Sequence, residues 1–184
     1  MSSPASQSPT ATGTRVTGRV WKFGDHVCGD DGIIEFAAVR DGFGKPFDLD
    51  ALRAMCFRKL RPEFPSEVRE GDIVVGGTNF AHHNHVEVSA AIKASGVSVV
   101  LVESCESGFM RRALSQGLAV ATVPGITRVV NDHDVISYDL ATGCVTLADG
   151  STLESRPFSP QMLSIWQAGG LVNALVKQHA EAAV

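Results

Sequence analysis

The chain has 184 residues, of which 44% are hydrophobic and 20% are charged, a balance that is typical of one globular domain with a real core. A net charge of −4 at pH 7 provides no basic field for nucleic acid or an anionic membrane, and no apolar run approaches the roughly 18 residues that span a bilayer. The cysteines are widely spaced without a C-x-x-C pair, which disfavours a zinc knuckle or an iron–sulfur cluster held by this chain: Cys28, Cys56, Cys105 and Cys144.

The N-terminal segment MSSPASQSPTATGT consists of small and polar residues and lacks the apolar run of a secretory signal. Such a composition cannot bury enough apolar surface to fold by itself. We therefore predict a flexible tail over residues 1–16, a folded domain over residues 17–184, and a cytoplasmic protein.

The domain begins with GRVWKFGDHVCGDDGII, which predicts one strand followed by a loop rich in acidic residues. Acidic residues in loops most often form solvated turns, so composition alone favours a structural role for Asp25, Asp30 and Asp31. No base adjacent in sequence marks Cys28 as a nucleophile, and we expect a structural thiol there.

Residues 72–123 alternate short apolar runs with helical segments. DIVVGG, VSVVLV and LAVATV predict strands, and residues 84–94 and 108–115 predict the helices between them. This β-α-β-α-β order implies neighbouring parallel strands joined by right-handed crossovers. One face of the first helix is apolar, and we expect it to pack on the sheet: Val88, Ala91 and Ile92.

The pattern changes after LAVATV. The run VISYDLATGCVTLADGSTL predicts a small β meander with turns at Thr142-Gly143 and Asp149-Gly150. Ser159 followed by Pro160 predicts the start of a helix that ends at a glycine pair, and a second short helix is predicted over residues 171–181.

Five stretches resemble, in order and spacing, the small subunit of enzymes of the 3-isopropylmalate dehydratase and homoaconitase type: GRVWKFGD…DDGII, LRPEFPSEVREGDIVVGGTNF, AIKASGV, ES…FMRRALSQGL and MLSIWQAGGLV. The resemblance covers about residues 18–177. It implies an α/β fold, the swivelling β/β/α domain of the aconitase superfamily, with a parallel β-α-β-α-β portion and a small β meander. It also implies a lid that works on a separate large subunit carrying a [4Fe-4S] cluster.

The resemblance breaks at one loop. Family members carry N-F-G-C-G-S-S-R-E-H there, and the resemblance implies a serine that acts as catalytic base and an arginine that holds a substrate carboxylate. This chain has N-F-A-H-H-N-H-V-E over residues 79–87, one residue shorter, which places Asn84 near a serine position and His85 near the arginine. Under any placement the serines and the arginine are absent.

The position of this loop still favours anion binding. A helix N-terminus offers unpaired backbone N–H groups and a partial positive charge, so we expect a carboxylate or phosphate site there. Asn84 and Glu87 have the spacing of a capping box. Histidine can accept a proton in place of serine but cannot reproduce the bidentate fork of arginine. We therefore expect a substrate with a smaller or uncharged group at that point.

The candidate site residues fall into two groups. As catalytic residues we predict His83, His85 and Asp31, and as substrate-binding residues we predict His82, Asn84 and Arg111. We predict no metal ligand, because His-His-x-His lacks the i, i+4 pairing and an obvious fourth ligand, although Glu87 or His26 could complete a site. A solvated polar turn is the alternative for the three histidines.

Two of these assignments follow from the resemblance. Asp31 precedes GII as the aspartate of the family's T-D-x-I-I motif does, and for Asp30 and Asp31 both catalytic support and plain solvation stay open. Arg111 lies where the family has the arginine of F-x-R-N-A, which implies contact with the substrate anion or the subunit interface. We expect Arg112 to be solvated.

Three functions stay open. The first is the lid subunit of a hydro-lyase that acts on an isopropylmalate-like or dimethylmaleate-like hydroxy acid, inactive without a large subunit that carries the cluster. The second is a non-catalytic swivel domain that binds a small carboxylate or regulates a protein partner. The third is a histidine-rich metal site with its own hydrolytic chemistry. We favour the first, because the family pattern is kept outside the changed loop.

Overall fold

The computed structural model describes residues 13–39 and 46–182. The strands are β1 (Arg15–Lys22), β2 (Ile73–Gly76), β3 (Val99–Val102), β4 (Ala119–Thr122), β5 (Val135–Asp139), β6 (Cys144–Thr146) and β7 (Thr152–Glu154). The helices are α1 (Phe36–Val39), α2 (Leu49–Met55), α3 (Phe64–Glu67), α4 (Val86–Ala94), α5 (Ser107–Ser115), α6 (Ile126–Val129), α7 (Pro160–Gln167) and α8 (Leu171–Ala182). A π-helical turn, Gly29–Ile33, lies between β1 and α1.

Within the described residues, the strands form one sheet in the order β4-β3-β2-β1-β5-β6-β7. Strands β1 to β4 run parallel to one another, with Val20 opposite Ile73 and Val74 opposite Val100. Strands β5 to β7 are antiparallel, and β5 pairs with the other edge of β1. The predicted β-α-β-α-β portion and the meander are therefore confirmed, and β1 adds a fourth parallel strand and joins the two halves.

Element boundaries differ from the predicted ones by one or two residues. Helix α4 begins at Val86 and α5 at Ser107. Strand β1 begins at Arg15, two residues before the predicted start of the domain, and residues 1–12 of the predicted tail lie outside the described residues. The folded domain therefore includes Arg15 and Val16.

The alternation of side chains along the parallel strands divides the core between the two faces of the sheet. Val74, Val100 and Val102 belong to the cluster that contains the buried face of α4. Ile73, Val75, Val99 and Leu101 belong to the cluster under the meander and α7. Both faces are buried, which explains why these strands are continuous apolar runs. The predicted apolar face of α4 is confirmed, since its three residues are fully buried: Val88, Ala91 and Ile92.

The buried carboxylate of Asp72 ties the start of β2 to β1. Its Oδ2 atom accepts hydrogen bonds from Trp21 Nε1 at 2.8 Å, from Arg19 Nη2 at 3.0 Å and from the backbone amide of Arg69 at 3.0 Å. Trp21 is fully buried and Asp72 is 4% exposed. One carboxylate oxygen therefore accepts hydrogen bonds from a buried indole, a partly buried guanidinium and a backbone amide.

Glu103 follows β3 and holds the N-terminus of α6. Its carboxylate accepts hydrogen bonds from the amides of Gly125 at 2.7 Å and Thr127 at 2.9 Å, and from the Thr127 hydroxyl. Partial burial alone would raise the pKa of Glu103, but the hydrogen bonds from Thr127 and Gly125 outweigh it and lower the pKa below its ordinary value of 4.5.

Replacing Glu103 by glutamine is expected to lower the free energy of unfolding at pH 7 by about 1 kcal/mol, because a neutral amide accepts these hydrogen bonds less well. Since folding lowers the pKa of Glu103, its contribution is present above the unfolded pKa and is lost as the pH falls through the folded pKa. Urea unfolding at pH 7 and near pH 3 measures this contribution. We expect the difference in the free energy of unfolding between Glu103→Gln and the unaltered protein to be smaller at the lower pH. A difference that is independent of pH contradicts the assignment.

The C-terminal helices follow the predicted signals. Ser159 Oγ accepts a hydrogen bond from the Met162 amide at 3.3 Å, and Pro160 is the first helical residue. Gly169 and Gly170 have φ angles of 78° and 125°, which a glycine adopts without strain, so the predicted glycine stop is confirmed. No helix in the described part of the chain combines the length and the apolar character needed to cross a membrane.

Candidate functional site

Three loops meet at the carboxyl ends of the parallel strands. We call residues 23–35, after β1, the acidic loop, and residues 77–85, after β2, the histidine loop. The third loop, residues 103–106, follows β3. Parallel bridges between Cys28 and His82 and between Phe80 and Cys105 continue the strand pairing into these loops. Ligand sites of open parallel sheets lie at this edge.

Backbone contacts fix the histidine loop on the acidic loop. The carbonyl oxygen of His82 accepts from the Gly29 amide at 2.8 Å, and that of His83 accepts from the Asp30 amide at 3.0 Å. A Cβ atom at Gly29 would lie 2.7 Å from Cβ of Asn84, so this approach requires glycine. Left-handed backbone at residues other than glycine is concentrated in the two loops: His26, Asn79, Ala81 and His83. Such conformations cluster at functional sites.

His85 pairs with Asp30 across the two loops. Nδ1 of His85 lies 2.8 Å from Oδ2 of Asp30, and the imidazole stacks on Phe36 with ring centroids 3.9 Å apart and planes inclined by 5°. The side chain of His85 is 47% exposed and that of Asp30 is 22% exposed. The second carboxylate oxygen, Oδ1 of Asp30, is buried without a hydrogen bond. The pair and the stack together hold the His85 ring in one orientation.

Asp31, predicted as a catalytic residue, does not share this arrangement. Its Oδ1 atom lies 2.6 Å from Nζ of Lys59, and its side chain is 74% exposed. Exposed ion pairs of this kind contribute little to stability. The structure therefore separates the two aspartates: Asp30 contacts a histidine of the site, whereas Asp31 lies on the surface.

The predicted capping box is wrong. Helix α4 has His85 at its N-cap and no side-chain cap. Nδ2 of Asn84 donates to the Ala81 carbonyl at 2.7 Å, and its Oδ1 atom accepts from Nε of Arg112 at 2.9 Å. Asn84 therefore braces the loop instead of capping the helix, because the guanidinium competes successfully for its oxygen. The prediction that Arg112 is solvated is wrong for the same reason.

Arg111, predicted to bind substrate, is exposed on α5. Within the described residues the structure gives its guanidinium no hydrogen bond or ion pair. It therefore lies on the surface and is available to a second molecule, whereas its neighbour Arg112 donates a hydrogen bond to Asn84.

The histidine loop also brings two histidines to a cysteine of the acidic loop. Cys28, His82 and His83 each offer one possible ligand atom, and these three atoms lie within 4.8 Å of one another. The rings of His82 and His83 are 5.0 Å apart between centroids, and Nε2 of His82 lies 3.1 Å from the carbonyl oxygen of His26. From the sequence alone we expect a structural thiol at Cys28 and predict no metal ligand in this chain.

The donor set of this chain does not fit a [4Fe-4S] cluster, which is held mainly by cysteine thiolates. Burial raises the pKa of the Cys56 thiol to about 12, with a hydrogen bond to Ser95 opposing it. Burial, followed by the charge of Glu106, raises the pKa of the Cys105 thiol to about 11. Among the described residues, the one group with metal-ligand spacing contains a single cysteine.

Sequence reasoning missed Asp30 as the partner of His85 and Cys28 as the partner of His82 and His83. Both lie in the acidic loop, more than fifty residues before the histidines. The available signal was topological: loops after adjacent parallel strands meet at one edge of the sheet, so residues after β1 and after β2 could have been grouped together.

Comparison with known proteins gives consistent relatives, although no family model matches the chain. The methanogen homoaconitase small subunit of Methanothermobacter thermautotrophicus is 38% identical over 165 residues, which cover 88% of this chain and 91% of the relative. The isopropylmalate/citramalate isomerase small subunit of Methanocaldococcus jannaschii is 34% identical, with 90% and 96% covered. The 3-isopropylmalate dehydratase small subunit of Syntrophus aciditrophicus is 33% identical, with 90% and 98% covered.

A solved structure with a similar fold belongs to the same kind of enzyme as these relatives. The crystal structure of 3-isopropylmalate dehydratase from Methanocaldococcus jannaschii matches this fold with a TM-score of 0.80 and 29% identity, covering 92% of this chain and 98% of that chain. The mixed α/β fold and the resemblance read from the sequence are both confirmed. The chain therefore belongs to the family of 3-isopropylmalate dehydratase and homoaconitase small subunits, which are hydro-lyase subunits.

Proposed function

We propose that this chain is the lid subunit of a two-subunit hydro-lyase that dehydrates, hydrates or isomerises a small hydroxy acid of the isopropylmalate or dimethylmaleate class. The family membership supports the reaction type. The changed histidine loop supports a substrate that differs from those of the relatives, since the family's serine and arginine are missing from it.

The pair formed by His85 and Asp30 carries the proposal. A carboxylate accepts a proton and cannot donate one, so the neutral imidazole carries its proton on Nδ1 and leaves Nε2 unprotonated. We assign Nε2 of His85 the role of proton acceptor in place of the family's serine. Asp30 is a positioning residue, which orients the ring and stabilises the imidazolium that forms.

Substrate anion binding is assigned to the start of α4. Its first backbone amides carry the partial positive charge of a helix N-terminus, next to the His85 ring. Both ends of the Asn84 amide are engaged within the chain, so we assign Asn84 to loop positioning instead of substrate contact. The exposed Arg111 supplies a further charge for the substrate or for the interface between subunits.

The partner in this proposal is an aconitase-like large subunit that carries the [4Fe-4S] cluster. The cluster would supply a Lewis acid for the leaving hydroxyl, and the widely spaced cysteines of this chain do not suit such a cluster. All four cysteines are free thiols, as is typical of a reducing compartment, and we place the complex in the cytoplasm.

Association with the large subunit, and turnover of a panel of hydroxy acids by the complex, test the proposal. The candidate cluster-bearing chain is purified anaerobically, mixed with this chain and analysed by sedimentation velocity. We expect a defined complex, and we expect Arg111→Glu to weaken it or to raise KM, whereas Lys177→Glu, on the C-terminal helix, leaves both unchanged. A complex that forms without turnover on any hydroxy acid favours a regulatory swivel domain, and the absence of a complex contradicts the lid assignment.

A further inference from the structure

We propose that Cys28, His82 and His83 form a binding site for a zinc ion, with three protein ligands and one open coordination position. The site joins the acidic loop to the histidine loop and lies beside the pair of His85 and Asp30. Neither member of that pair is a ligand, so metal binding and proton transfer occupy separate groups.

The arrangement of the three side chains supports the site. Their ligand atoms lie within 4.8 Å of one another, although Cys28 is separated from the histidines by more than fifty residues. Tetrahedral zinc, with bonds of about 2.0–2.3 Å, places its ligand atoms about 3.3–3.8 Å apart. Reaching that spacing requires side-chain movements of up to about 1.5 Å, and the exposed His83 has room to make them.

Backbone hydrogen bonds between the two loops fix the positions of the three residues. Cys28 and His82 form a parallel bridge, and the amides of Gly29 and Asp30 donate to the carbonyl oxygens of His82 and His83. His83 adopts a left-handed conformation with φ of 46°, and its ring lies 5.0 Å from that of His82 between centroids. The site is therefore pre-organised, which reduces the conformational entropy lost on binding.

The second nitrogen of His82 provides independent support. Its Nε2 atom lies 3.1 Å from the His26 carbonyl oxygen, a contact that places the ring proton on Nε2. That tautomer leaves Nδ1 with a free lone pair. Histidines that bind metals almost always donate their other ring N–H to a carbonyl or carboxylate in this way.

The types of ligand select the metal. One thiolate and two imidazoles suit zinc, whereas magnesium, calcium and manganese prefer sets of oxygen ligands. On binding, the S–H bond of Cys28 breaks, its proton passes to solvent, and the sulfur forms a bond to the metal. Three protein ligands leave a fourth position for water or for an oxygen of a bound acid.

Metal titration of the full chain tests this inference without a large subunit or a substrate. The reduced protein, freed of metal with a chelator, is titrated with Zn²⁺ against a colorimetric competitor, and with Co²⁺ to read thiolate-to-metal charge-transfer absorption. We expect one ion per chain and a cobalt spectrum that contains the thiolate band. Cys28→Ser is expected to abolish that band, and His82→Ala and His83→Asn to weaken zinc binding at least about 100-fold.

The variants are chosen to separate ligand loss from loss of folding. Asparagine tolerates the left-handed backbone at position 83, so His83→Asn keeps the loop conformation. Cys144→Ser and His179→Ala are the matched controls, because both residues lie outside the two loops, and they retain full affinity. Far-ultraviolet circular dichroism verifies the fold of each variant. Binding that is absent, or that survives unchanged in Cys28→Ser and in His83→Asn, overturns the proposal, even if the hydro-lyase activity is present.

Discussion

Replacing His85 by alanine, in the complex with the large subunit, is expected to lower kcat by about 10²- to 10⁴-fold, the usual contribution of a positioned proton acceptor. The physical reason is that the Asp30 contact and the Phe36 stack hold the His85 ring and thereby position its Nε2 atom. Initial rates of enoate formation measure the loss. KM changes less than kcat, because the helix N-terminus is unaltered.

Two controls isolate the chemical role of His85. His179→Ala removes an exposed histidine of α8 and retains full turnover. His85→Ala itself keeps the zinc affinity of the unaltered chain, since His85 is not a ligand of the proposed metal site. Asp30→Asn is expected to give a smaller loss of kcat than His85→Ala, because it disturbs the orientation of the ring and leaves the imidazole in place. Turnover by His85→Ala within about twofold of the unaltered complex removes this residue from the mechanism.

Replacing Asp72 by alanine is expected to lower the free energy of unfolding by about 3–5 kcal/mol, the range for breaking a buried charge pair. The variant leaves the fully buried Trp21 Nε1 and the amide of Arg69 without their acceptor, and Arg19 without its ion pair. Urea unfolding followed by tryptophan fluorescence measures the loss, and Trp21 reports on the site itself.

The Asp72→Asn variant separates the contribution of the hydrogen bonds from that of the negative charge. All three donors converge on the single oxygen Oδ2, so the amide oxygen of Asp72→Asn can take its place and keep the hydrogen bonds. We expect a smaller loss of about 1–2 kcal/mol for this variant. Equal losses for the alanine and asparagine variants contradict this view of Asp72, and indicate that charge alone matters at this point.

Much of the fold was predictable from the sequence because its signals are local. The run VSVVLV is apolar at every position, as a strand covered on both faces requires, and the stripe on α4 has helical periodicity. The position of β1 was not predictable in this way. It pairs in parallel with β2 and antiparallel with β5, and no property of its own residues specifies two distant partners.

The sequence also predicted where the candidate site lies, whereas the contacts of its individual side chains could not be predicted. The start of α4 was identified from the loop and the family resemblance. Two adjacent aspartates have opposite surroundings because the π-helical turn directs Asp30 to His85 and Asp31 to Lys59. Asn84 has capping spacing but braces the loop, since Arg112 from another helix binds its oxygen. Such choices depend on contacts between elements that spacing along one segment does not contain.

The changed loop keeps the physical features of a site while altering its chemistry. The helix N-terminus supplies the same backbone charge that the family arrangement supplies. In the proposed mechanism the imidazole of His85, oriented by Asp30, accepts a proton, but an imidazole does not form the bidentate pair that arginine forms with a carboxylate. We therefore expect a hydro-lyase whose preferred acid lacks a second carboxylate at that point.

Turnover by the reconstituted complex tests this account most directly. The two chains are combined anaerobically, and the absorbance of the enoate product is followed with a panel of malate-type and maleate-type acids that differ in the distal group. We expect turnover only when both chains are present, with the highest kcat/KM for acids whose distal group is small or uncharged. Turnover by the large subunit alone, or equal preference for acids with a distal carboxylate, would contradict it.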